Sequence, residues 1–332
     1  MRPDTTGTRP WRGVDLFAGV GGLDLPAAAL GVHVTGIEKN PDACATRRAA
    51  GLATIAADVR GYGPADFPDA NVLLGGPPCQ PFSAAGNGAG RRALGDIVTL
   101  AHRLAARHHV ARYGHGPQDD LIRLVLEPLR WALDALDRGR PFDAIVLEQV
   151  PAVLPVWITY AEILRTDGYD VAVGVLKAEE YGVPQTRRRA VLIARRTGPA
   201  ALPAPTHRPY AKGTPRAAGG PDLLPWIAMA DVLPGRGPFT VVSNYGTGGD
   251  PKARGRRTSA EPSATVTGKV SRVRVIADDG TEDRFTWAEA GALQSFPTDH
   301  PWTGRDIGQQ IGNAVPPRLA HHLLTAATRP AA

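Results

Sequence analysis

VDLFAGVGGLDLPAAAL, residues 14–30, decides the fold. It runs from a short apolar strand (13–17) through a glycine-rich turn into a helical pattern (23–30). Strand, glycine turn and helix open a parallel α/β sheet, where the turn brings main chain close to a ligand and aims helix N–H groups at it. The alternation continues outward. A strand over 33–37 ends in Glu38, a helix covers 42–50, a strand over 53–57 ends in Asp58, and an apolar strand covers 71–74. Beyond a basic stretch, a helix is expected over 120–138, a strand over 142–147 ending in Glu148, a helix over 156–166, and strands over 169–176 and 190–194. This pattern predicts a doubly wound α/β architecture through residue 196. From 197 the composition turns to Pro, Gly and Arg, so a small irregular second domain is expected. Helical patterning returns at 286 and over 307–326.

Composition narrows the classes. The 332 residues carry a net charge of +6 and a pI near 9.6, which suits an acidic partner such as nucleic acid. No apolar run approaches the about 18 residues a membrane span needs, and the start MRPDTTGTRPWRG lacks a signal-peptide core. Two cysteines, Cys44 and Cys79, make no disulfide framework and fit a cytoplasmic setting. The histidines at 102, 108, 109 and 115 lack a metal-ligand spacing, so no metal is expected.

Four places carry chemistry. The glycine turn, with Glu38 and Asp58 at the next two strand ends, describes a site for an adenosine-type cofactor: one carboxylate suits a ribose diol, the other an adenine amino group. No phosphate-loop lysine is present, which argues against a nucleoside triphosphate. Cys79 sits in GGPPCQPFS, residues 75–83, a rigid turn after a buried strand and an unusual place for an inert thiol; Cys44, in a helical run, reads as structural. Glu148, at the end of a buried strand, is a candidate proton donor. In QTRRR, residues 185–189, alternation puts Arg187 and Arg189 on one face, either a solvated basic edge or two donors aimed into the site.

DLFAGVGG, GGPPCQPFS, LEQVP, QTRRR, TWAEAGALQSFP and QQIGNAVPP occur here in that order. Together they resemble the DNA (cytosine-5)-methyltransferase family. The resemblance implies a Rossmann-like catalytic domain that binds S-adenosyl-L-methionine (residues 1–196), a target-recognition domain (197–284) and a C-terminal segment (285–332) that completes the first. It implies cofactor contacts at Asp15, Phe17, Ala18, Gly19, Gly21, Glu38, Asp58, Val59, Pro78 and Asn313. It makes Cys79 the nucleophile, Glu148 the acid that holds the target base, and Arg187 and Arg189 its supports. A monomer acting on flipped-out cytosine in double-stranded DNA is expected, with a cognate restriction endonuclease left open. Gln80, Ser83, Arg91 and Arg92 are expected near the duplex, the last two in a glycine-rich loop that closes over it. Asn244, Arg254, Arg256 and Thr265 are expected in the recognition domain, Thr265 with Val266 at its end. Two related readings are a cytosine-5 methyltransferase for tRNA and a catalytically silent partner subunit. The chain departs from the family at Gln149, where an asparagine is usual, and at Lys39, where an aromatic is common. The stretch 95–119 is longer than a minimal loop and reads either as a basic, DNA-facing insertion or, equally, as a solvated helix.

Overall fold

The computed structural model describes residues 9–78, 82, 93–110, 116–246 and 254–329. Its centre is a seven-stranded sheet in the order β3-β2-β1-β4-β5-β7-β6. The strands are β1 (Arg12–Leu16), β2 (His33–Glu38), β3 (Thr54–Ala56), β4 (Val72–Gly75), β5 (Ala144–Gln149), β6 (Asp170–Lys177) and β7 (Arg188–Arg195). The first five are parallel, and β7 runs antiparallel to both neighbours. The central strands are buried on both faces, as a covered parallel sheet requires. Val14, Leu73, Ile145 and Leu147 point into one apolar cluster, and Val72, Leu74, Ala144 and Val146 into the other.

Helices cover both faces. The connecting helices are α1 (Asp24–Ala29), α2 (Pro41–Ala49), α3 (Leu94–Ala105), α4 (Pro117–Arg123), α5 (Glu127–Asp137) and α6 (Leu154–Thr166). The single helix expected over 120–138 is two helices joined by a 3₁₀ turn, with Pro128 in the first turn of α5, where its missing N–H costs nothing. The chain then leaves the sheet and returns as α7 (Trp287–Leu293), α8 (Ile307–Asn313) and α9 (Pro317–Thr328). One helix over 307–326 is likewise two, because Pro316 and Pro317 interrupt it. Leu319, Leu323 and Leu324 of α9 pack with Val72 and Val146, so the far end of the chain covers one face of the sheet.

The segment between is more regular than its composition suggests. It holds a four-stranded antiparallel sheet in the order β11-β10-β8-β9, from β8 (Phe239–Gly246), β9 (Arg254–Thr258), β10 (Arg274–Ala277) and β11 (Glu282–Asp283). Phe239, Val241, Val275 and Phe285 share an apolar cluster with Leu293 of α7 and Ile311 of α8.

The stretch 95–119 begins as a helix, the second of its two expected readings. Helix α3 buries Ile97 and Ala101 in the main core. Arg107, just beyond it, pairs with Asp137 at 2.7 Å and Asp167 at 3.9 Å, two acids close before β5 and β6. This end of α3 therefore lies at the edge where β5 and β6 begin, the opposite edge from the glycine turn. His115 lies outside the described residues.

His300 sits between Phe296 and Trp302, with ring centroids 4.9 and 4.4 Å away. Burial lowers its pKa to about 4, so the folded protein holds the neutral imidazole. The unfolded chain binds the extra proton below about pH 6.5. The contribution of His300 to stability is therefore complete above that pH and shrinks as the pH falls toward 4. Urea unfolding of His300→Phe across this window should show a shallower loss of stability than the wild type.

Candidate active site

The parallel strands all end at one edge of the sheet, and the order reverses between β1 and β4, which opens a crevice there. A cavity of about 300 Å³ fills it, large enough for a cofactor-sized ligand. Its lining includes Asp15, Phe17, Ala18, Gly19, Glu38, Asp58, Val59, Pro78, Glu148, Arg189 and Asn313.

The glycine turn is held in a demanding shape. Phe17, Gly19 and Gly21 have φ of 62°, 53° and 95°; for Phe17 this is the costly left-handed region. A Cβ on Gly22 would come 2.2 Å from the Val315 carbonyl oxygen, so the turn and the C-terminal segment touch backbone to backbone. Gly21 is not among these lining residues; its φ of 95° favours glycine, and a Cβ there would lie 2.2 Å from the end of the Leu52 side chain. Beneath the turn, Arg47 and Asp24 form a fully buried bidentate pair at 2.6 and 3.0 Å. Arg47 also donates to the carbonyls of Ala18 and Ala53 and to the Thr54 hydroxyl. Burial pushes the Asp15 carboxyl well above the usual carboxylate range, and the neighbouring Asp24 adds to this. Asp15 Oδ1 is buried at the cavity without a hydrogen-bond partner among the described residues.

Both strand-end acids reach the cavity. Glu38 accepts N–H bonds from Gly19 at 2.9 Å and Asn40 at 2.7 Å. Asp58 is gripped by Arg60, whose side-chain hydrogen bonds lower its pKa to about 2. Lys39, standing where an aromatic was expected, lies 3.6 Å from Asp58 Oδ2.

At the other end of the cavity, Glu148 pairs with Arg189, with Oε1 2.7 Å from Nε. Strand register explains the meeting: Glu148 lies opposite Val191, so Arg189 is its diagonal neighbour on the same face. Gln149 is buried, and its Nε2 donates to the Pro77 carbonyl at 2.8 Å, which ties β5 to the turn leading to Cys79. Cys79, Gln80, Ser83, Arg91 and Arg92 lie outside the described residues, as do the side chains of Asn244 and Arg254, which stand on β8 and β9.

Arg187 holds other partners than Arg189 does. It is buried and donates to the carbonyls of Val266, Gly312 and Ala314 at 3.0 to 3.1 Å. The residue immediately precedes β7, and its carbonyl accepts the Ala178 N–H at 2.8 Å. Gln185 bridges to Ser263 and bonds Val266 N–H and the Leu293 carbonyl. Thr265, expected at DNA, donates its hydroxyl to the Thr186 carbonyl at 2.7 Å. Arg256 is exposed on β9. The sequence reading missed Leu121, Leu124, Gln309 and Gln310, which also line the cavity. Leu121 and Leu124 have the three-residue spacing of one helical face, a usable signal.

Residues 11–99 and 143–214 match the family model of the C-5 cytosine-specific DNA methylase. The Type II methyltransferase M1.HphI of Haemophilus parahaemolyticus is 30% identical over 354 residues, covering 94% of this chain and 85% of that protein. The chain belongs to the C-5 cytosine-specific DNA methylase family. Another relative, the Type II methyltransferase M.AplI of Arthrospira platensis, is 30% identical over 329 residues, 92% of this chain and 82% of that one. The S. pombe Dnmt2 methyltransferase shares the fold at a TM-score of 0.61 and 15% identity, covering 95% of this chain and 97% of that one. A putative DNA modification methyltransferase encoded within an E. coli prophage gives 0.56 and 19%, over 95% and 98%. This methylase is thus a DNA (cytosine-5-)-methyltransferase on a methyltransferase fold. Among the described residues, no helix is long and apolar enough to cross a membrane, and no cluster of His, Cys, Asp or Glu could hold a metal ion.

The two arginines should part experimentally. Arg187→Met removes three bonds to buried carbonyls and should lower stability by about 2–4 kcal/mol. Arg189→Met should cut turnover at least tenfold with a smaller change in melting temperature. Paired thermal melts and methyl-transfer assays check this.

Proposed function

We propose that this methylase transfers a methyl group from S-adenosyl-L-methionine to C5 of a flipped-out cytosine in a defined duplex DNA sequence. One observation carries the reading: a single cavity joins the two acids suited to an adenosine moiety, Glu38 and Asp58, to the Glu148–Arg189 pair. The residues suit the cofactor. The glycine turn lets its main chain approach closely, the strand-end acids can accept from ribose and adenine, and Asp15 Oδ1 is an unused buried polar atom beside them. Asn313, also in the lining, is suited to the methionine end. When bound, S-adenosyl-L-methionine supplies an electrophilic methyl group.

The protein must make cytosine C5 nucleophilic. Cys79, one residue beyond Pro78 of the lining, attacks C6 as thiolate, while Glu148 hydrogen-bonds the base and protonates N3. The electron pair from the C5–C6 bond then lies at C5, which takes the methyl group. Loss of the C5 proton to solvent, expulsion of the Cys79 thiolate and return of the N3 proton to Glu148 restore the ring and the enzyme. Arg189 fixes the orientation of Glu148 and faces the O2 side, where negative charge builds. None of this is sterically available in the helical stack, so the base is first extruded at a cost of a few kcal/mol.

On this reading residues 1–196 and 285–332 form the catalytic unit and 197–284 the recognition unit, with basic side chains such as Arg256 as phosphate anchors. The relatives are named Type II methyltransferases, which supports a short duplex target and a cognate endonuclease.

Unmethylated duplex DNA incubated with S-adenosyl-L-methionine, then digested to nucleosides, should yield 5-methylcytosine. Cys79→Ala should give none, and Glu148→Gln should be slower by about 10²–10⁴. Product on tRNA but not on DNA, or an unimpaired Cys79→Ala, would reject the proposal.

A further inference from the structure

Arg60 belongs to no motif in the sequence reading, yet it is the most heavily engaged side chain at one end of the cavity. It is 8% exposed and follows β3 by only four residues, in a 3₁₀ turn capped by Asp58. Its Nε donates to Asp58 Oδ1 at 3.0 Å and its Nη2 to Oδ2 at 2.8 Å, while its own backbone N–H reaches Oδ1 at 3.0 Å. A bidentate guanidinium–carboxylate pair fixes the plane of the carboxylate as well as its place. Oδ1 therefore accepts two donors, and Oδ2 accepts one, with the Lys39 ammonium at 3.6 Å. A carboxylate oxygen has two acceptor positions, so Oδ2 is the oxygen with capacity left for a ligand.

The far side of Arg60 points elsewhere. Its Nη1 lies 3.6 Å from Asp120 Oδ2 on α4. The next residue, Leu121, lines the cavity, as does Leu124 one turn on. Arg60 thus joins the acid at the end of β3 to the helix that supplies an apolar wall. Lys39 lines the same cavity and offers no aromatic ring to it.

We propose that Arg60 is a positioning residue for cofactor selection: it presents Asp58 Oδ2 to the exocyclic amino group of an adenine ring and, through Asp120, seats α4 against that ring. This rests on the adenosine-cofactor reading above. Arg60 touches no ligand in this scheme and acts through Asp58 and α4. A purine that carries a 6-oxo group offers Asp58 an acceptor in place of a donor, so the arrangement selects adenine over hypoxanthine. Replacing Arg60 removes the fixed plane of the carboxylate and hence the selection.

The test is calorimetric titration of the intact protein with S-adenosylhomocysteine and with its 6-oxo analogue, S-inosylhomocysteine. The wild type should prefer the adenine compound by at least tenfold, the scale of one charge-assisted hydrogen bond. In Arg60→Ala that preference should fall to about twofold or less, mainly through weaker binding of the adenine compound. Asp58→Asn should lose it too, and Asp120→Asn should weaken both ligands together by loosening α4. If Arg60→Ala proves unstable, Arg60→Lys keeps the charge without the bidentate geometry and should show the same loss of preference. An unchanged preference in folded Arg60 variants, or an equal weakening of both ligands, would overturn the proposal while leaving the cofactor reading intact. If the wild type binds neither compound, the cofactor reading itself fails, and this one with it.

Discussion

The buried pair between Arg47 and Asp24 holds the cofactor end of the molecule together. A glycine-rich turn with three left-handed residues has little reason to keep one shape, and Phe17 has reason to leave it. The Arg47 guanidinium supplies the restraint, since it binds α1 through Asp24, the turn through the Ala18 carbonyl, and the approach to β3 through Ala53 and Thr54. Gly36 is part of the same device: a Cβ there would lie 2.0 Å from Arg47 Nη2, so the strand must be bare for the guanidinium to pass. Such a pair gives little net stability over an apolar replacement, but breaking it strands a buried charge. Its value here is geometric, because it sets where the main chain of the turn meets a ligand.

A second hub does for the whole chain what Arg47 does for the turn. Gln185 and Arg187 gather backbone groups from the segment of the four-stranded sheet at Val266 and from the C-terminal elements at Leu293, Gly312 and Ala314. Gly312 and Gly268 are so close that a Cβ on Gly312 would lie 2.1 Å from the Gly268 nitrogen. That segment, the C-terminal helices and the seven-stranded sheet therefore meet through main chain and buried amides. Few side chains there can change without disturbing all three.

Much of this was legible in the sequence, for physical reasons that differ by element. Central strands such as 71–74 are continuous apolar runs because both faces are covered, so β1 to β5 were found within a few residues. Glu38, Asp58 and Glu148 were legible because an acid at the end of an apolar strand has few other uses. The recognition sheet was not legible, since β9 reads RGRRT and has no apolar alternation to mark it. Alternation marked Arg187 and Arg189 together but not the buried carbonyls of Val266, Gly312 and Ala314 that Arg187 holds, because those partners lie far along the chain. Leu121 and Gln309 reach the cavity, and Arg60 reaches Asp58 behind it, through tertiary packing, which no local pattern encodes.

The position of α9 has a consequence for how the chain folds as it is made. The apolar face formed by Val72, Leu74 and Val146 is covered by Leu319, Leu323 and Leu324, some three hundred residues after β1 ends. A ribosome that has released β1 to β7 has released a sheet with one oily face open. That face stays open while the recognition segment is translated, at roughly 5–20 residues per second. Nascent protein thus spends several seconds with its largest aggregation-prone surface bare, and chaperone demand should concentrate in that interval.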